Sequence, residues 1–246
     1  MELGSNTVLV TGGASGIGLA LARRFLEAGS AVIVCGRRAE TLREAKALHP
    51  GLETRVCDLA REEERADLLR WATGQFPGLN VLVNNAGIQL RVSLSDPREW
   101  ERVRQEIAIN FEAAMHLSML CVPHLRRQPR SAVVNVTSGL AFVPLARVPV
   151  YSATKAALHS FTRSLRLQLA GTGIDVIEII PPAVDTDLGG PGLHTFGVKV
   201  DELLDAVMPR IVAGETEIAY GFAEKASRGS RGEIEALIQR MNEPAG

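Results

Sequence analysis

Thr7-Val8-Leu9-Val10-Thr11-Gly12-Gly13-Ala14-Ser15-Gly16-Ile17-Gly18 decides the architecture. Its first five residues form a β-branched, apolar run of strand character. A glycine-rich turn follows, and helical periodicity then runs over Ile17–Ala28. Glycine allows positive φ and lets main chain approach a pyrophosphate closely. A helix beginning near Gly16 offers free N–H groups and a positive dipole end to phosphates. Strand, glycine loop and helix in this order are the context a dinucleotide fingerprint requires. The spacing, Gly-x3-Gly-x-Gly, differs from the common Gly-x-Gly-x-x-Gly.

Outward from this stretch, short β-branched runs recur at Ala31–Cys35, Thr54–Cys57, Val81–Val83, Ala132–Val136, Asp175–Ile180 and, more weakly, Glu217–Tyr220. Between them lie segments of helical period at Ala39–Leu48, Glu62–Gln75, Pro97–Arg127 (two helices), Tyr151–Leu169 and Val200–Val212, with a last helix at Arg231–Met241. Such alternation predicts an α/β chain: one doubly wound Rossmann domain over residues 1–246, with a mostly parallel sheet of about seven strands and helices on both faces. A ligand site is expected at the carboxyl ends of the strands, where the strand order reverses.

Composition narrows the function classes. At 246 residues, 46% hydrophobic and net charge −1, the chain reads as an ordinary globular protein without the basic footprint of a nucleic-acid or anionic-membrane binder. No apolar run approaches the ~18 residues of a membrane span, and no signal peptide is read before the first strand. Cys35, Cys57 and Cys121 are odd in number and lack CxxC spacing, which predicts reduced core thiols in a cytoplasmic protein. The five histidines form no ligand pattern, so no metal is expected.

The end of the second strand bears on the nucleotide. An acid there binds a ribose 2′-hydroxyl, whereas arginine accommodates a 2′-phosphate. The text is Val34-Cys35-Gly36-Arg37-Arg38, with no acid, room at Gly36, and Arg37 able to pair with a phosphate. The reading favours NADP(H) over NAD(H), with Arg37 ahead of Arg38; the alternative is a pair of solvated loop charges.

Tyr151-Ser152-Ala153-Thr154-Lys155 lies thirteen residues after Ser138. Four-residue spacing on a helix puts the phenol and the ammonium on one face. A nearby ammonium is expected to pull the phenol pKa down from its usual ~10, so that the pair exchanges a proton with a substrate oxygen.

Taken together, these residues resemble the short-chain dehydrogenase/reductase family, over about Thr7 to Tyr220. Thr11–Gly18 is similar to its glycine loop, Cys57-Asp58-Leu59 to its adenine contact, and Asn84-Asn85-Ala86-Gly87 to its post-strand-four motif. Asn110, Ser138, Tyr151 and Lys155 fall where the family keeps its catalytic tetrad. The resemblance implies Tyr151 as acid/base, Lys155 as its partner and a ribose ligand, Ser138 as the group polarising the substrate oxygen, and Asn110 as holder of a proton-relay water. It implies cofactor contacts from Gly12, Ser15, Gly16, Ile17, Gly18, Arg37, Asp58, Leu59, Asn85, Ala86, Gly87, Tyr151 and Lys155, and from Pro181, Val184 and Thr186. One departure is Pro182, where the family carries glycine; proline fixes φ and removes an N–H, predicting a stiffer wall. Pro181-Pro182-Ala183-Val184-Asp185-Thr186-Asp187-Leu188 and Ser138–Leu145 resemble a bacterial branch labelled DltE-like.

The substrate-facing segments are expected to be Gly139–Val150, Gln89–Ser95 and Asp187–Val198, the last a glycine-rich lid at about 187–198. Leu140, Phe142, Val143, Leu145 and Val148 suggest a moderately apolar carbonyl or alcohol. His194, Gln89 and Arg91 face either substrate or solvent. The resemblance implies a homodimer or homotetramer through the helices Phe111–Arg127 and Tyr151–Leu169. The leading expectation is NADP(H)-dependent exchange between a carbonyl and a secondary alcohol. The alternatives are an NAD-dependent alcohol dehydrogenase and a non-catalytic NADP-sensing protein.

Overall fold

The computed structural model describes residues 1–243. The first strand, β1 (Thr7–Thr11), leads through the glycine turn into α1 (Gly16–Glu27). There follow β2 (Ala31–Gly36), α2 (Ala39–Leu48), β3 (Leu52–Val56), α3 (Glu62–Gln75) and β4 (Val81–Asn84). After a 3-10 turn at Pro97–Glu99 come α4 (Trp100–Ile107), a π-helical turn (Ala108–Glu112) and α5 (Ala113–Leu125). β5 (Ser131–Val136), α6 (Pro149–Gln168), β6 (Ile174–Ile180), α7 (Val200–Val212), β7 (Glu217–Ala219), α8 (Phe222–Arg228) and α9 (Arg231–Asn242) complete the order.

The seven strands form one sheet in the order β3-β2-β1-β4-β5-β6-β7. Every pairing is parallel, so the expected mostly parallel sheet is wholly parallel among the described residues. The strands cannot expose a face, because helices cover both. Strand residues alternate accordingly. Val8, Val10, Val32 and Val34 pack against α1 and α7, through Leu21, Phe25, Val207 and Ile211. Leu9, Ile33, Leu82 and Val133 pack the other way, against Leu68 of α3, Leu117 and Cys121 of α5, and Leu165 of α6.

Element bounds move by a residue or two from the sequence reading. The largest strand difference is β3, which begins at Leu52 because Leu52 is wholly buried and pairs with Val32. The short α8 has no counterpart in the sequence reading. Its two buried residues, Ala223 and Ala226, are too few and too small to make an amphipathic stripe. The two helices expected within Pro97–Arg127 are α4 and α5, joined through the π-turn without a break. Strand order reverses between β1 and β4, so β1 carries the glycine turn to one side of a crevice and β4 carries Asn84–Gly87 to the other.

Candidate active site

The glycine turn is held by its neighbours. Gly12 has φ +62°, and a Cβ there would come 2.9 Å from the Ala86 Cα. At Gly18 a Cβ would meet both Asn85 Nδ2 and the Gly12 carbonyl oxygen at 2.4 Å. Asn85 staples the arrangement: its Nδ2 donates to the Thr11 and Gly12 carbonyls at 3.0 and 3.3 Å. The Thr11 hydroxyl oxygen accepts from the Asn85 and Ala86 N–H groups at 3.0 and 3.1 Å. Gly18→Ala therefore forces β4 and the turn apart. The expected cost is ~1–3 kcal/mol of stability with weakened nucleotide binding, read by denaturant melts and nucleotide titration.

Ser15 stands at the N-cap of α1, yet its side chain makes no capping bond. The first-turn N–H groups of that helix are thus left for an anion. By contrast, Ser230 and Glu233 close a full capping box on α9. The Thr186 methyl lies over Gly16, where a Cβ would stand 3.3 Å from it. Pro181, on the chain leaving β6, accepts the Gly139 N–H at 3.0 Å, and Val184 is buried beside it. Pro182 sits near Gly221, where a Cβ would lie 3.8 Å from the proline Cγ.

At the end of β2, Gly36 has no atom within 4 Å of where a Cβ would stand. Arg37 and Arg38 are both exposed, and no ion pair engages either of them among the described residues. Asp58 Oδ1 accepts the Ala60 N–H at 3.1 Å in a local turn, and the Asp58 N–H donates to Glu64 Oε2 at 2.7 Å. Leu59 is buried against the α3 side of the core. An uncapped helix start, close-packed glycines and open space at Gly36 fit a dinucleotide.

Across the crevice, four side chains that the sequence scatters over 46 positions are all buried: Asn110, Ser138, Tyr151 and Lys155. Ser138 lies two residues past β5 and caps a 3-10 turn, its Oγ accepting the Leu140 N–H at 3.1 Å. That bond uses a lone pair, so the hydroxyl proton is available to donate toward the Tyr151 phenol. Tyr151 and Lys155 lie in the first two turns of α6, with Lys155 Nζ 5.6 Å from the Tyr151 ring centroid. The ammonium donates to the Val136 carbonyl at 2.8 Å. Asn110 lies in the π-turn, a local widening common at functional positions. Its amide donates to the Ile88 carbonyl at 2.8 Å and to Thr154 Oγ1 at 3.2 Å, and its Oδ1 accepts the Ile88 N–H at 2.8 Å. Gly87 fits between them: a Cβ there would lie 3.4 Å from Asn110 Oδ1 and 3.7 Å from Lys155 Nζ.

One expectation is corrected here. The spacing argument has Lys155 pulling the Tyr151 pKa down. Instead burial pushes the phenol up to about 12, with the Glu106 charge adding to the rise and the Ser138 hydroxyl offsetting part of it. Burial also lowers Lys155 to about 8. The cause is desolvation, which disfavours both charged forms. The ammonium is committed to Val136 and lies over the ring face.

Two features escaped the sequence reading. Glu106, in α4, is fully buried and its Oε1 accepts the Leu90 N–H at 3.0 Å. Its only signal is the spacing of four before Asn110, which is hidden in a helix crowded with charge, Glu101-Arg102-Val103-Arg104-Gln105-Glu106. Glu178 is also fully buried; it accepts from the Thr137 hydroxyl at 2.7 Å and lies 3.0 Å from His159 Nδ1. His194 and Gln89, left open between substrate and solvent, meet each other, with His194 Nε2 3.2 Å from Gln89 Oε1. The segment carrying His194 is tied at its base by a parallel bridge between Val184 and Val198.

Residues 6–193 match the family model described as short chain dehydrogenase. The chain is 46% identical over 248 residues to the oxidoreductase DltE of Bacillus subtilis (strain 168), covering 98% of each. It is 34% identical over 192 residues to the D-beta-hydroxybutyrate dehydrogenase of Cupriavidus necator, covering 76% of this chain and 73% of that protein. A short chain dehydrogenase from Burkholderia cenocepacia J2315, solved in complex with NADP, superposes with a TM-score of 0.85 at 27% identity, covering 99% of this chain and 100% of the other.

Proposed function

We propose that this chain, which belongs to the short-chain dehydrogenase/reductase family of oxidoreductases, is an NADP(H)-dependent carbonyl reductase that also runs as an alcohol dehydrogenase. One observation carries the reading. Asn110, Ser138, Tyr151 and Lys155 are buried together across the strand-order reversal from a glycine turn, with the Ser138 hydroxyl beside the Tyr151 phenol.

Gly12, Ser15, Gly16, Ile17 and Gly18 would hold the pyrophosphate, Asp58 and Leu59 the adenine, and Asn85, Ala86 and Gly87 the floor of the site. Lys155 and Tyr151 would bind the nicotinamide ribose; Pro181, Val184 and Thr186 would face the carboxamide. When bound, NADPH supplies the hydride for a carbonyl carbon. The Ser138 hydroxyl donates to the substrate oxygen and stabilises the charge that develops there. Tyr151, held as a phenol, gives that oxygen its proton. Lys155 and Asn110 connect the phenol to solvent as a relay, for which the π-turn opens the helix backbone. The phenol is neutral at physiological pH and so carries the proton that reduction consumes, while burial makes it a weaker acid than a free tyrosine.

Preference for NADP(H) rests on Gly36 and Arg37. An exposed guanidinium without an ion-pair partner, beside open space and without an acid, suits a 2′-phosphate. Titration is expected to show NADPH bound at least tenfold more tightly than NADH in the native chain, and Arg37→Ala to erase most of that gap, about 1–2 kcal/mol. Equal affinities in the native chain would return the reading to an NAD-dependent alcohol dehydrogenase.

Residues 1–246 act as one domain, with 187–198 as a lid over a moderately apolar pocket lined by Leu140 and Val148 beside Tyr151; Phe142, expected there, packs instead against Ile180, Ala219 and Ala223. A panel of ketones, aldehydes and secondary alcohols, D-β-hydroxybutyrate among them, followed by nicotinamide absorbance, tests the activity. Cofactor binding with no turnover across a broad panel would favour a sensor. The chain acts as a homodimer or homotetramer, since α5 and α6 expose Met119 and Leu167. No described helix is long and apolar enough to cross a membrane.

A further inference from the structure

The helix α9 (Arg231–Asn242) builds no core, because none of its residues is buried. A helix of twelve residues is marginal on its own. Ser230 and Glu233 secure its start, and Ile234, Leu237, Ile238 and Met241 give it a half-buried apolar stripe at the i, i+3, i+4, i+7 spacing. Its last turn is fastened to a distant loop. Asn242 Oδ1 accepts the Ala146 N–H at 2.6 Å, and Nδ2 donates to the Pro144 carbonyl at 3.0 Å and to the Ile238 carbonyl at 2.8 Å. One side-chain amide thus serves an N–H and a carbonyl two residues apart, as the main chain of a neighbouring strand would.

The loop that Asn242 grips leads directly to the proton group. Leu145, between the two gripped residues, donates its N–H to Ser152 Oγ at 3.2 Å and accepts the Val148 N–H at 3.0 Å. Its buried side chain packs with Val148 and Tyr151. Met241, next to Asn242, packs on the same cluster, as do Leu140 and Leu188. Leu140, Leu188 and Met241 are only partly buried, so they form an apolar rim around the buried Tyr151. Ligand pockets have this make-up, an apolar wall around a few convergent polar groups. Leu140 and Leu188 belong to the substrate-facing segments 139–150 and 187–198; α9 supplies a further side. Methionine is unbranched and polarisable, and it adapts to apolar groups of irregular shape.

We propose that α9 is a wall of the substrate pocket, with Met241 as a specificity-determining residue and Asn242 as a positioning residue that holds 144–146 beside Tyr151. The group this wall accepts is the apolar arm of a ketone or aldehyde, which lies against the Met241 thioether while the carbonyl oxygen meets Ser138 and Tyr151. This rests on the reading of Ser138 and Tyr151 as the carbonyl site.

The complex with NADP⁺ tests the wall without turnover, since the oxidised nucleotide has no hydride to give a ketone. The chain has five methionines, so isotope labelling of their methyl groups gives five NMR signals, and the one absent from Met241→Leu belongs to Met241. Octan-2-one added to the NADP⁺ complex is expected to shift that signal and to leave that of Met208, packed in the core, in place. An unmoved Met241 signal overturns the proposal. In turnover with NADPH, Met241→Ala is expected to raise kcat/KM for octan-2-one relative to butan-2-one by about tenfold or more, while Met241→Leu, which keeps the volume, leaves the ratio near native. An equal loss on both ketones in Met241→Ala overturns the assignment of specificity. Asn242→Ala is expected to speed hydrogen exchange at Ala146 by about tenfold or more. It is also expected to raise KM for octan-2-one by about tenfold with NADPH affinity unchanged. Native-like exchange at Ala146 overturns the clamp. A native chain whose Met241 signal shifts but which reduces no ketone would sink the reductase reading and leave the pocket wall standing.

Discussion

Tyr151→Phe is expected to lower turnover by about 10²–10⁴-fold, the range a positioned proton donor contributes. NADPH binding should change by no more than a few fold. The substitution removes one oxygen from a ring that packs with Leu145 and Val148, so the pocket wall and the fold persist. The effect is therefore on chemistry, and single-turnover absorbance at saturating NADPH measures it. Turnover within tenfold of native would mean that Ser138 or a water supplies the proton. The pH dependence carries a further sign. With Tyr151 pushed up to about 12, the phenol is protonated throughout the neutral range. Reduction should not lose its proton donor as pH rises to ~9, whereas alcohol oxidation, which needs the phenolate, should accelerate over the same range.

The asymmetry between what the sequence discloses and what it conceals has a physical basis. The glycine turn was legible because strand, turn and helix chemistry change abruptly within twelve residues, and only glycine satisfies the close approach at Gly18. The strand alternation was legible because parallel strands buried on both faces are mostly apolar, as in Ser131–Val136, where every residue is buried and only Ser131 and Asn135 are polar. Tyr151 and Lys155 were legible as a helical pair, but their electrostatics were not. Desolvation depends on what α4 and β5 bring around them, and a local spacing rule counts only the ammonium. Glu106 and Glu178 were hidden for a related reason. A charged residue in a polar helix, or an acid in the run Ile174–Ile180, reads as solvated until topology buries it against Leu90 or Thr137. The contact of His194 with Gln89 joins residues 105 apart in sequence and has no local signature.

Lys155→Met is expected to abolish most turnover and yet make the protein more stable at pH 7. The lysine is fully buried and its pKa is lowered by burial to about 8 from 10.5. A folded value below the unfolded one means that the unfolded chain holds more protons between the two, so native stability rises with pH across about 8 to 10.5 and falls as pH drops through it. Below that window the buried ammonium costs roughly 3 kcal/mol. Methionine matches the stem in length and shape and carries no charge. It gives up the 2.8 Å bond to the Val136 carbonyl, a loss of about 1–2 kcal/mol, so the net gain is about 1–2 kcal/mol. For a chain of this size that is roughly 2–8 °C in Tm. The pH dependence separates this account from a general packing gain. Melts of native and variant proteins should differ most at pH 7; the gap should shrink as pH rises through about 8 to 10.5 and change sign above that, where the lysine is neutral in both states. A gap that stays constant or widens with pH would show that desolvation of the ammonium is not its source. Loss of turnover together with a gain in stability would assign the buried lysine to the site rather than to the fold.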